Sequence, residues 1–275
     1  MQGMKMNKLK RNERVAAIVK ILSTNPNRIY SLNYFVEKFN AAKSTISEDI
    51  VVVKKTMEKM ELGKITTITG AAGGVKFATY ISNEYTKEIL DEMSERLNGA
   101  DRILPGNYLY MTDLIYSPYF MNRASEIFAS KFSDKKIDYI VTIETKGIPL
   151  AFSVAKLLNV PLIIVRKDSK ITEGSTVSIN YVSGSTGRLQ RMSLAKRAIG
   201  QDAHVLIIDD FMKGGGTVRG IIEMMFEFGA VVEGVGVLIA TKSPKGKLVK
   251  EFTSLLTLEE TNDEDNNIKI FPTNM

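Results

Sequence analysis

Apolar residues recur with helical spacing in two early segments of the chain. In residues 14–22 they lie at positions i, i+3, i+4 and i+7, the spacing of an amphipathic helix. The polar segment 25–27, with proline at its centre, ends this helix. Ser31 is a good N-cap for a second helix, in which the same spacing continues to Phe39. These patterns predict two short helices that each bury one side.

A third amphipathic segment covers residues 44–57, and the periodicity then changes. Residues 65–69 and 75–80 are rich in β-branched and aromatic side chains and flank the glycine-rich run 70–74, which predicts a β-hairpin. Three short helices followed by a hairpin are typical of a winged helix-turn-helix. In that module the third helix enters the major groove of DNA by its N-terminal end, and the hairpin contacts phosphates.

The start of the third helix carries the residues that would read DNA. We expect a capping box of Thr45 and Glu48 there, or a start a few residues earlier. Glu48 and Asp49 lie close to this reading surface, where a carboxylate repels phosphate unless it accepts from cytosine or points elsewhere. A small protein–protein or dimerisation domain is the alternative. The candidates for base contact are Lys43, Ser44, Thr45 and Ser47, and those for phosphate contact are Lys5, Lys8, Lys10, Arg11, Arg28, Lys64 and Lys76.

Beyond residue 80 the pattern alternates between helices and nearly continuous apolar strands, which predicts a parallel sheet covered on both faces and an α/β fold class. We therefore divide the chain into a winged-helix DNA-binding domain, 1–80, and a second domain, 81–275. No element is predicted from 166 to 200, and the acidic, asparagine-rich tail from Glu259 is expected to be poorly ordered. The predicted helices are 85–97, 119–132, 149–158 and 218–228, and the predicted strands are 139–143, 161–165, 205–208 and 234–240.

Composition adds a charge asymmetry and several exclusions. Residues 1–80 contain 14 Lys and Arg and 6 Asp and Glu, a net charge of +8, whereas the rest of the chain carries −2. The first domain is therefore expected to meet a polyanion. The absence of cysteine excludes disulfides, and the only histidine, His204, precedes an apolar strand, which disfavours a catalytic triad. No apolar segment is long enough to span a membrane, so we expect a cytoplasmic protein.

The chemistry of the second domain is concentrated in residues 205–217. An apolar strand leads to Asp209 and Asp210, and a glycine-rich turn then ends in Thr217. Backbone amides of such a turn can wrap a phosphate at the start of a helix. The adjacent carboxylates suit the hydroxyls of an attached sugar, or a Mg²⁺ ion near a second phosphate. Neither the P-loop lysine motif nor the dinucleotide-binding glycine motif fits this run.

This run resembles the phosphoribosyl diphosphate (PRPP) signature of type I phosphoribosyltransferases, and residues 144–147 and 166–187 look like the diphosphate loop and the flexible loop of that family. The resemblance implies that Asp209 and Asp210 bind the ribose hydroxyls. Solvated charges at strand ends are the alternative for the basic residues of these loops. The remaining PRPP contacts that the resemblance implies are Thr145, Lys146, Gly147, Arg166, Lys167, Phe211, Met212, Lys213, Gly214, Gly215, Gly216 and Thr217.

Two further features bear on whether the domain is an enzyme. Residues 178–190 contain no Asp or Glu, whereas adenine-type enzymes place a carboxylate in the comparable loop, which argues against catalysis. A winged helix joined to such a domain, together with segments 44–49 and 172–184, resembles the bacterial purine operon repressor family over residues 8–258. Lys213 and Gly214 depart from the Ala-Thr that is more frequent in catalytic relatives.

The resemblance implies a homodimeric, non-catalytic regulator of purine synthesis genes. Its partners would be double-stranded operator DNA and PRPP, the latter with Mg²⁺ and as a signal that lowers operator affinity. Guanine polyphosphates are expected competitors for the PRPP site, and neither a metal bound by side chains alone nor a membrane partner is expected. The alternatives are an active purine phosphoribosyltransferase with a basic appendage, an activating member of the family, and an RNA-binding attenuator of the same fold.

Overall fold

The computed structural model describes residues 9–70, 73–99, 102–105, 108–168, 174–183, 187–260 and 268–274. The chain divides into two compact units. One consists of Met1–Ser82 with Lys156–Asn159, and the other of Asn83–Ala155 with Val160–Met275. In the parts that the structure describes, no helix is both long and apolar enough to cross a membrane.

The first unit contains three helices and a hairpin, in the order that the sequence pattern predicts. The helices are α1 (Arg11–Thr24), α2 (Leu32–Phe39) and α3 (Lys43–Lys59), and the strands are β1 (Lys64–Ile68) and β2 (Gly74–Ala78). Their apolar sides share one core, in which Ile18, Phe35 and Ile46 are fully buried. This is the architecture of a winged helix, as predicted.

Backbone contacts attach the hairpin to the start of α2. β1 and β2 are antiparallel, and Tyr30 and Val75 exchange two backbone hydrogen bonds of 2.9 Å. A Cβ on Gly74 would lie 2.3 Å from the Tyr30 carbonyl oxygen, so this close approach requires glycine. The wing is therefore anchored immediately before the N-cap of α2, Ser31.

The predicted capping box at the start of α3 is wrong. Asn40 adopts a left-handed conformation that closes α2, and Ala42 is the N-cap of α3, which begins at Lys43. The connection between the helices is thus shorter than the predicted capping box requires, so Thr45 and Glu48 lie inside α3. The alternative of an earlier start is the correct one.

The second unit is an α/β unit that contains one large sheet. Its helices are α4 (Asn83–Leu97), α5 (Thr112–Ile115), α6 (Pro118–Lys131), α7 (Ile148–Leu158), whose last three residues belong to the first unit, and α8 (Gly216–Glu227). Its strands are β3 (Ile103–Leu104), β4 (Tyr108–Leu109), β5 (Tyr139–Ile143), β6 (Leu162–Val165), β7 (Thr176–Val182), β8 (Leu189–Ala195), β9 (His204–Met212), β10 (Val231–Thr241), β11 (Thr253–Glu260) and β12 (Ile268–Pro272).

Six of these strands form the large sheet, in the order β12-β11-β10-β9-β5-β6. All neighbouring pairs are parallel except β11 with β12. The central strands β5 and β9 are nearly continuous apolar runs, and Val141, Leu206 and Ile207 are fully buried. Side chains on successive positions of a strand point to opposite faces, so this burial shows that the sheet is covered on both sides.

The sequence pattern misses six strands of the second unit, namely β3, β4, β7, β8, β11 and β12. β7 and β8 form an antiparallel hairpin inside 166–200, where no element was predicted. The tail from Glu259 is not poorly ordered throughout, because β12 pairs with β11 and buries Ile270. Residues 261–267 lie outside the described ranges. In β7, β8 and β12 polar residues interrupt the apolar ones, which weakens the apolar signal.

Candidate functional site

Three loops meet at one end of the large sheet. β5 lies between β9 and β6, and all three strands are parallel, so their carboxyl ends share one edge. Residues 144–147 follow β5, residues 166–167 follow β6, and β9 leads into the turn 213–215. The structure therefore brings together the segments that the sequence analysis selects. A crevice at this edge is the usual ligand site of an open α/β sheet.

Gly147 brings the loop after β5 into direct contact with the acidic pair. A Cβ on this glycine would lie 2.6 Å from Thr142 Oγ1 and 3.0 Å from Asp209 Oδ1, which is too close for any side chain. Thr142 is fully buried, and its hydroxyl has no hydrogen-bond partner among the residues that the structure describes. A buried hydroxyl and a buried carboxylate thus border the same glycine of the loop.

Asp209 and Asp210 lie on β9 itself, which extends to Met212 instead of ending before the carboxylates. Asp209 is 4% exposed, and its Oδ1 accepts a hydrogen bond of 3.0 Å from the Asp210 amide. Burial raises the pKa of Asp209 well above its ordinary value, and the Asp210 charge raises it further. Burial also raises the pKa of Asp210. A ligand hydroxyl or a cation that contacts the pair would stabilise its charged form.

Basic residues of the other two loops lie near this pair. The charges of Lys146 and Lys167 lower the pKa of Asp210 and so oppose the effect of burial. Glu144 links the loops, because it accepts from the Lys167 amide at 2.7 Å and from Arg166 Nη1 at 3.3 Å. Arg166 is thus engaged with Glu144, while the side chains of Lys146 and Lys167 are exposed.

The turn after β9 has the backbone conformation of an anion site. Gly215 is left-handed, with φ of 81°, and is the N-cap of α8, which begins at Gly216. The first amides of a helix have no partners within the helix and lie at its positive end. A phosphate at this position would also lie near the hydroxyl-bearing side chain of Thr217.

The other predicted ligand residues lie around this turn in different environments. Thr145 is exposed in the loop after β5, and Phe211, Lys213 and Gly214 are half-buried. The Met212 side chain is 2% exposed and belongs to the hydrophobic core. Only the backbone of Met212 is therefore placed to contribute to the crevice.

Sequence reasoning missed Tyr181 of β7. This side chain is 5% exposed, and its hydroxyl donates to Gln190 Oε1 at 2.7 Å. Burial raises the pKa of Tyr181, and the neighbouring Thr217 side chain partly offsets this effect. The signal that could have found it is the alternation of Val177, Ile179 and Tyr181 along β7.

The only histidine lies away from the crevice. His204 is the first residue of β9, and Asp209 follows it five positions later, which is about 16 Å along the strand. Its Nδ1 lies 2.6 Å from Glu233 Oε1, at the opposite end of the sheet from the three loops. Within the described ranges, no group of three or more His, Cys, Asp or Glu side chains is arranged to hold a metal ion.

In the first unit, the predicted base-contacting residues lie at the start of α3. Lys43, Ser44 and Ser47 are exposed, and Thr45 is half-buried. Lys43 also borders a recess of about 300 Å³ between the first turn of α2 and the wing, where Asn33 and Thr67 face it. The start of α3 and the wing therefore line one concave surface.

The predicted phosphate-contacting residues surround the same unit. Lys10, Arg11, Arg28 and Lys64 are exposed, and Lys76 is half-buried on β2. The Arg28 guanidinium lies 5.1 Å from the centre of the Tyr30 ring. Lys5 and Lys8 lie outside the described residues.

The two carboxylates near the reading surface have different environments. Glu48 is exposed, whereas Asp49 is 1% exposed and accepts from Arg14 Nε at 2.7 Å. Arg11 Nε lies 3.5 Å from the other Asp49 oxygen. Asp49 therefore points into the unit, and of these two carboxylates only Glu48 presents its charge on the surface of α3.

Comparison with known proteins adds two family matches. Residues 10–79 match the model described as bacterial purine repressor, N-terminal, and residues 112–273 match the phosphoribosyl transferase domain. The purine biosynthesis transcriptional repressor of Bacillus subtilis (strain 168) is 46% identical over 96% of this chain and 92% of that protein. The purine biosynthesis transcriptional activator of Lactococcus lactis subsp. lactis (strain IL1403) is 38% identical over 95% of this chain and 97% of that protein.

A solved structure shares the fold of the larger unit. The adenine phosphoribosyltransferase from Thermoanaerobacter pseudethanolicus matches with a TM-score of 0.53 and 21% identity. The match covers 60% of this chain and 98% of that structure. At this level of identity the likeness establishes the fold alone, because one fold can serve several functions.

Proposed function

Because the chain belongs to the bacterial purine repressor family and is a transcriptional regulator of purine biosynthesis, we propose that its second unit binds PRPP as a signal. In this proposal the winged helix represses purine genes by binding their operators, and PRPP lowers its affinity for that DNA. The protein acts as a homodimer and uses the phosphoribosyltransferase fold as a sensor.

The observation that carries the PRPP assignment is the contact of Gly147 with Asp209. It places the loop that carries Lys146 against the buried Asp209, which is followed by the half-buried Asp210 and then by a glycine turn. PRPP carries a diphosphate, a ribose with two neighbouring hydroxyls and a 5′-phosphate. The loop with Lys146, the two carboxylates and the glycine turn match the diphosphate, the ribose hydroxyls and the 5′-phosphate, respectively.

Each part of the crevice then has a role. The loop 144–147 and the exposed Lys167 attract the diphosphate, and Asp209 and Asp210 accept hydrogen bonds from the ribose hydroxyls. The turn 213–217 binds the 5′-phosphate through backbone amides. Asp209 and Asp210 would hold a Mg²⁺ ion together with oxygens of the bound ligand, and the ion would neutralise phosphate charge. The ligand's oxygens would be needed, because within the described residues no group of three or more His, Cys, Asp or Glu side chains is arranged to hold a metal ion.

A non-catalytic role is supported by the lack of a candidate proton acceptor for the purine base. Transfer of a ribosyl group to a purine needs a proton acceptor near the base nitrogen. Residues 178–190 provide no carboxylate, and His204 lies at the far end of β9. Guanine polyphosphates carry a ribose and diphosphates, so they compete with PRPP for the same loops in this proposal.

The alternative is an active purine phosphoribosyltransferase that also binds DNA. A diphosphate-release assay with Mg²⁺-PRPP and adenine, guanine, hypoxanthine or xanthine distinguishes the two. We expect no release above that seen without protein. Sustained turnover with any of these bases would favour the enzyme and make the sensing role secondary.

DNA binding measured with and without PRPP tests the proposal itself. In a gel-shift assay on purine-operon DNA, we expect saturating Mg²⁺-PRPP to weaken the complex, while ribose 5-phosphate, which lacks the diphosphate, has less effect. Retention of full operator affinity at every PRPP concentration, with PRPP binding confirmed by calorimetry, would overturn the coupling. Absence of PRPP binding would overturn the site.

A further inference from the structure

The segment after β10 packs against the rear of the phosphate-binding turn. Lys247 Nζ donates to the Lys213 carbonyl oxygen at 2.6 Å, and the Leu248 amide donates to the Gly214 carbonyl oxygen at 3.0 Å. A Cβ on Gly215 would lie 3.5 Å from the Leu248 nitrogen, so the next residue of the turn is also in contact. We call residues 241–249 the brace.

These two contacts also fix the direction in which the amides of the turn point. In a trans peptide, the carbonyl of one residue and the amide N–H of the next point in opposite directions. Since the Lys213 and Gly214 carbonyls point at the brace, the amides of Gly214 and Gly215 point away from it. Two successive amides therefore face the side on which a phosphate would bind, which is the arrangement of an anion nest.

The brace holds the Lys247 ammonium by several oxygens. Besides Lys213, its Nζ lies 3.2 Å from Thr241 Oγ1 and 3.4 Å from the Pro244 carbonyl oxygen. The side chain is half-buried, and burial, followed by the nearby Lys213 charge, lowers the pKa of Lys247. An ammonium placed in this way cannot reach a ligand in front of the turn, since the backbone of the turn lies between them.

We propose that Lys247 is a positioning residue for the effector's phosphate, which acts by holding the Lys213 carbonyl so that the Gly214 and Gly215 amides face the ligand. The inference rests on the proposed function of this turn as the 5′-phosphate site. The brace then contributes to effector affinity from behind the turn, without contacting the ligand itself.

The test compares three full-length variants with the wild type by isothermal titration with Mg²⁺-PRPP and with ribose 5-phosphate. Lys247→Met removes the donor, Lys247→Arg keeps a cationic donor, and Lys245→Met is the matched control, because Lys245 is exposed two residues earlier. We expect Lys247→Met to weaken both ligands by roughly tenfold to a hundredfold, the range for losing one hydrogen bond from a charged donor. Lys247→Arg should recover most of this loss, and Lys245→Met should match the wild type.

Two controls separate this inference from the proposed function and from misfolding. If the wild type binds neither ligand, the proposed function fails and the inference fails with it. If the wild type binds both and Lys247→Met binds them equally well, only the inference is overturned. Should Lys247→Met fold poorly, Lys247→Gln keeps a neutral donor of shorter reach and should show a smaller loss, while wild-type affinity in that variant would overturn the inference.

Discussion

Arg14 and Asp49 form a buried ion pair between α1 and α3, with Arg14 Nε 2.7 Å from Asp49 Oδ2. A second guanidinium nitrogen of Arg14 donates to the other carboxylate oxygen at 3.3 Å, so the pairing is bidentate. Both residues are less than 10% exposed. Such pairs set orientation more than net stability, because their burial cost offsets much of their attraction. The pair therefore sets the placement of α3 against α1.

Asp49→Ala should destabilise the first unit by about 3–5 kcal/mol, because it leaves the buried Arg14 charge without a partner. Glu48→Ala is the matched control on the same helix turn. Glu48 is exposed, so its removal should leave stability nearly unchanged and raise operator affinity by removing a charge that repels phosphate. Chemical denaturation and gel shifts on both variants check this. Equal stability of the two variants would contradict the assigned role of Asp49.

Operator affinity should fall steeply with salt, because basic residues of the first unit displace counterions from phosphates. Lys43→Ala should reduce the slope of log K against log salt by about 1, whereas Lys59→Ala, at the other end of α3, should not change it. Thr45→Ala should weaken operator binding without changing the slope. PRPP affinity should be unaffected in all three. If Lys43→Ala and Thr45→Ala both retain full operator affinity, α3 is not the reading element.

Ionisation of Asp209 should cost stability at neutral pH. Burial raises its pKa, so the folded protein keeps this proton at pH values where the unfolded chain, with a pKa near 4, has lost it. Stability therefore falls as pH rises from about 4 through the raised pKa. Asp209→Asn should raise Tm at pH 7, by about 2–4 °C for each kcal/mol recovered, and should lose this advantage near pH 4.

The exposed Asp134 supplies the control for that measurement. Asp134→Asn should leave Tm and its pH dependence unchanged in scanning calorimetry of the unliganded protein. A Tm of Asp209→Asn at or below that of the wild type at pH 7 would contradict this prediction. It would show that other groups of the protein already offset the cost of burying the Asp209 charge.

Asp210→Ala should uncouple the regulator from its signal. The substitution removes an acceptor for the ribose hydroxyls and lies outside the first unit, so operator binding should remain near normal. PRPP affinity should fall by about tenfold to over a hundredfold, the loss expected for a hydrogen bond to a charged group. In cells this variant should behave as a permanent repressor, and Asp134→Ala should respond normally. Wild-type PRPP affinity in Asp210→Ala would show that this crevice is not the effector site.

Local patterns account for the parts of the fold that could be predicted. The winged helix follows from amphipathic spacing and a glycine turn, and β5 and β9 follow from continuous apolar runs. β7 and β8 were missed because polar residues, Ser and Asn in β7 and Gln, Arg and Ser in β8, interrupt their apolar residues, so that neither strand has such a run. β12 was missed because its short apolar stretch follows an acidic segment, although Ile270 completes the sheet core.

The candidate site likewise contains residues that the sequence identifies and residues that it does not. The segments 144–147 and 209–217 are contiguous motifs, so the sequence alone identifies them. Asp49, Tyr181 and Lys247 act through partners 35, 36 and 34 positions away, namely Arg14, Thr217 and Lys213. Contacts at such separations depend on tertiary packing and leave no local spacing to read. This is why Asp49 was expected near the reading surface and is instead buried.

The central claim, that PRPP and operator DNA favour different states of one protein, is tested most directly by measuring PRPP affinity twice, once for the free protein and once for the operator complex. Coupling between two binding sites is reciprocal, so the ratio of these two Kd values must equal the ratio of operator Kd values with and without saturating PRPP. The account predicts that the operator complex binds Mg²⁺-PRPP more weakly, by a factor of about 5–150. Equal PRPP affinity for the free and the operator-bound protein would contradict it.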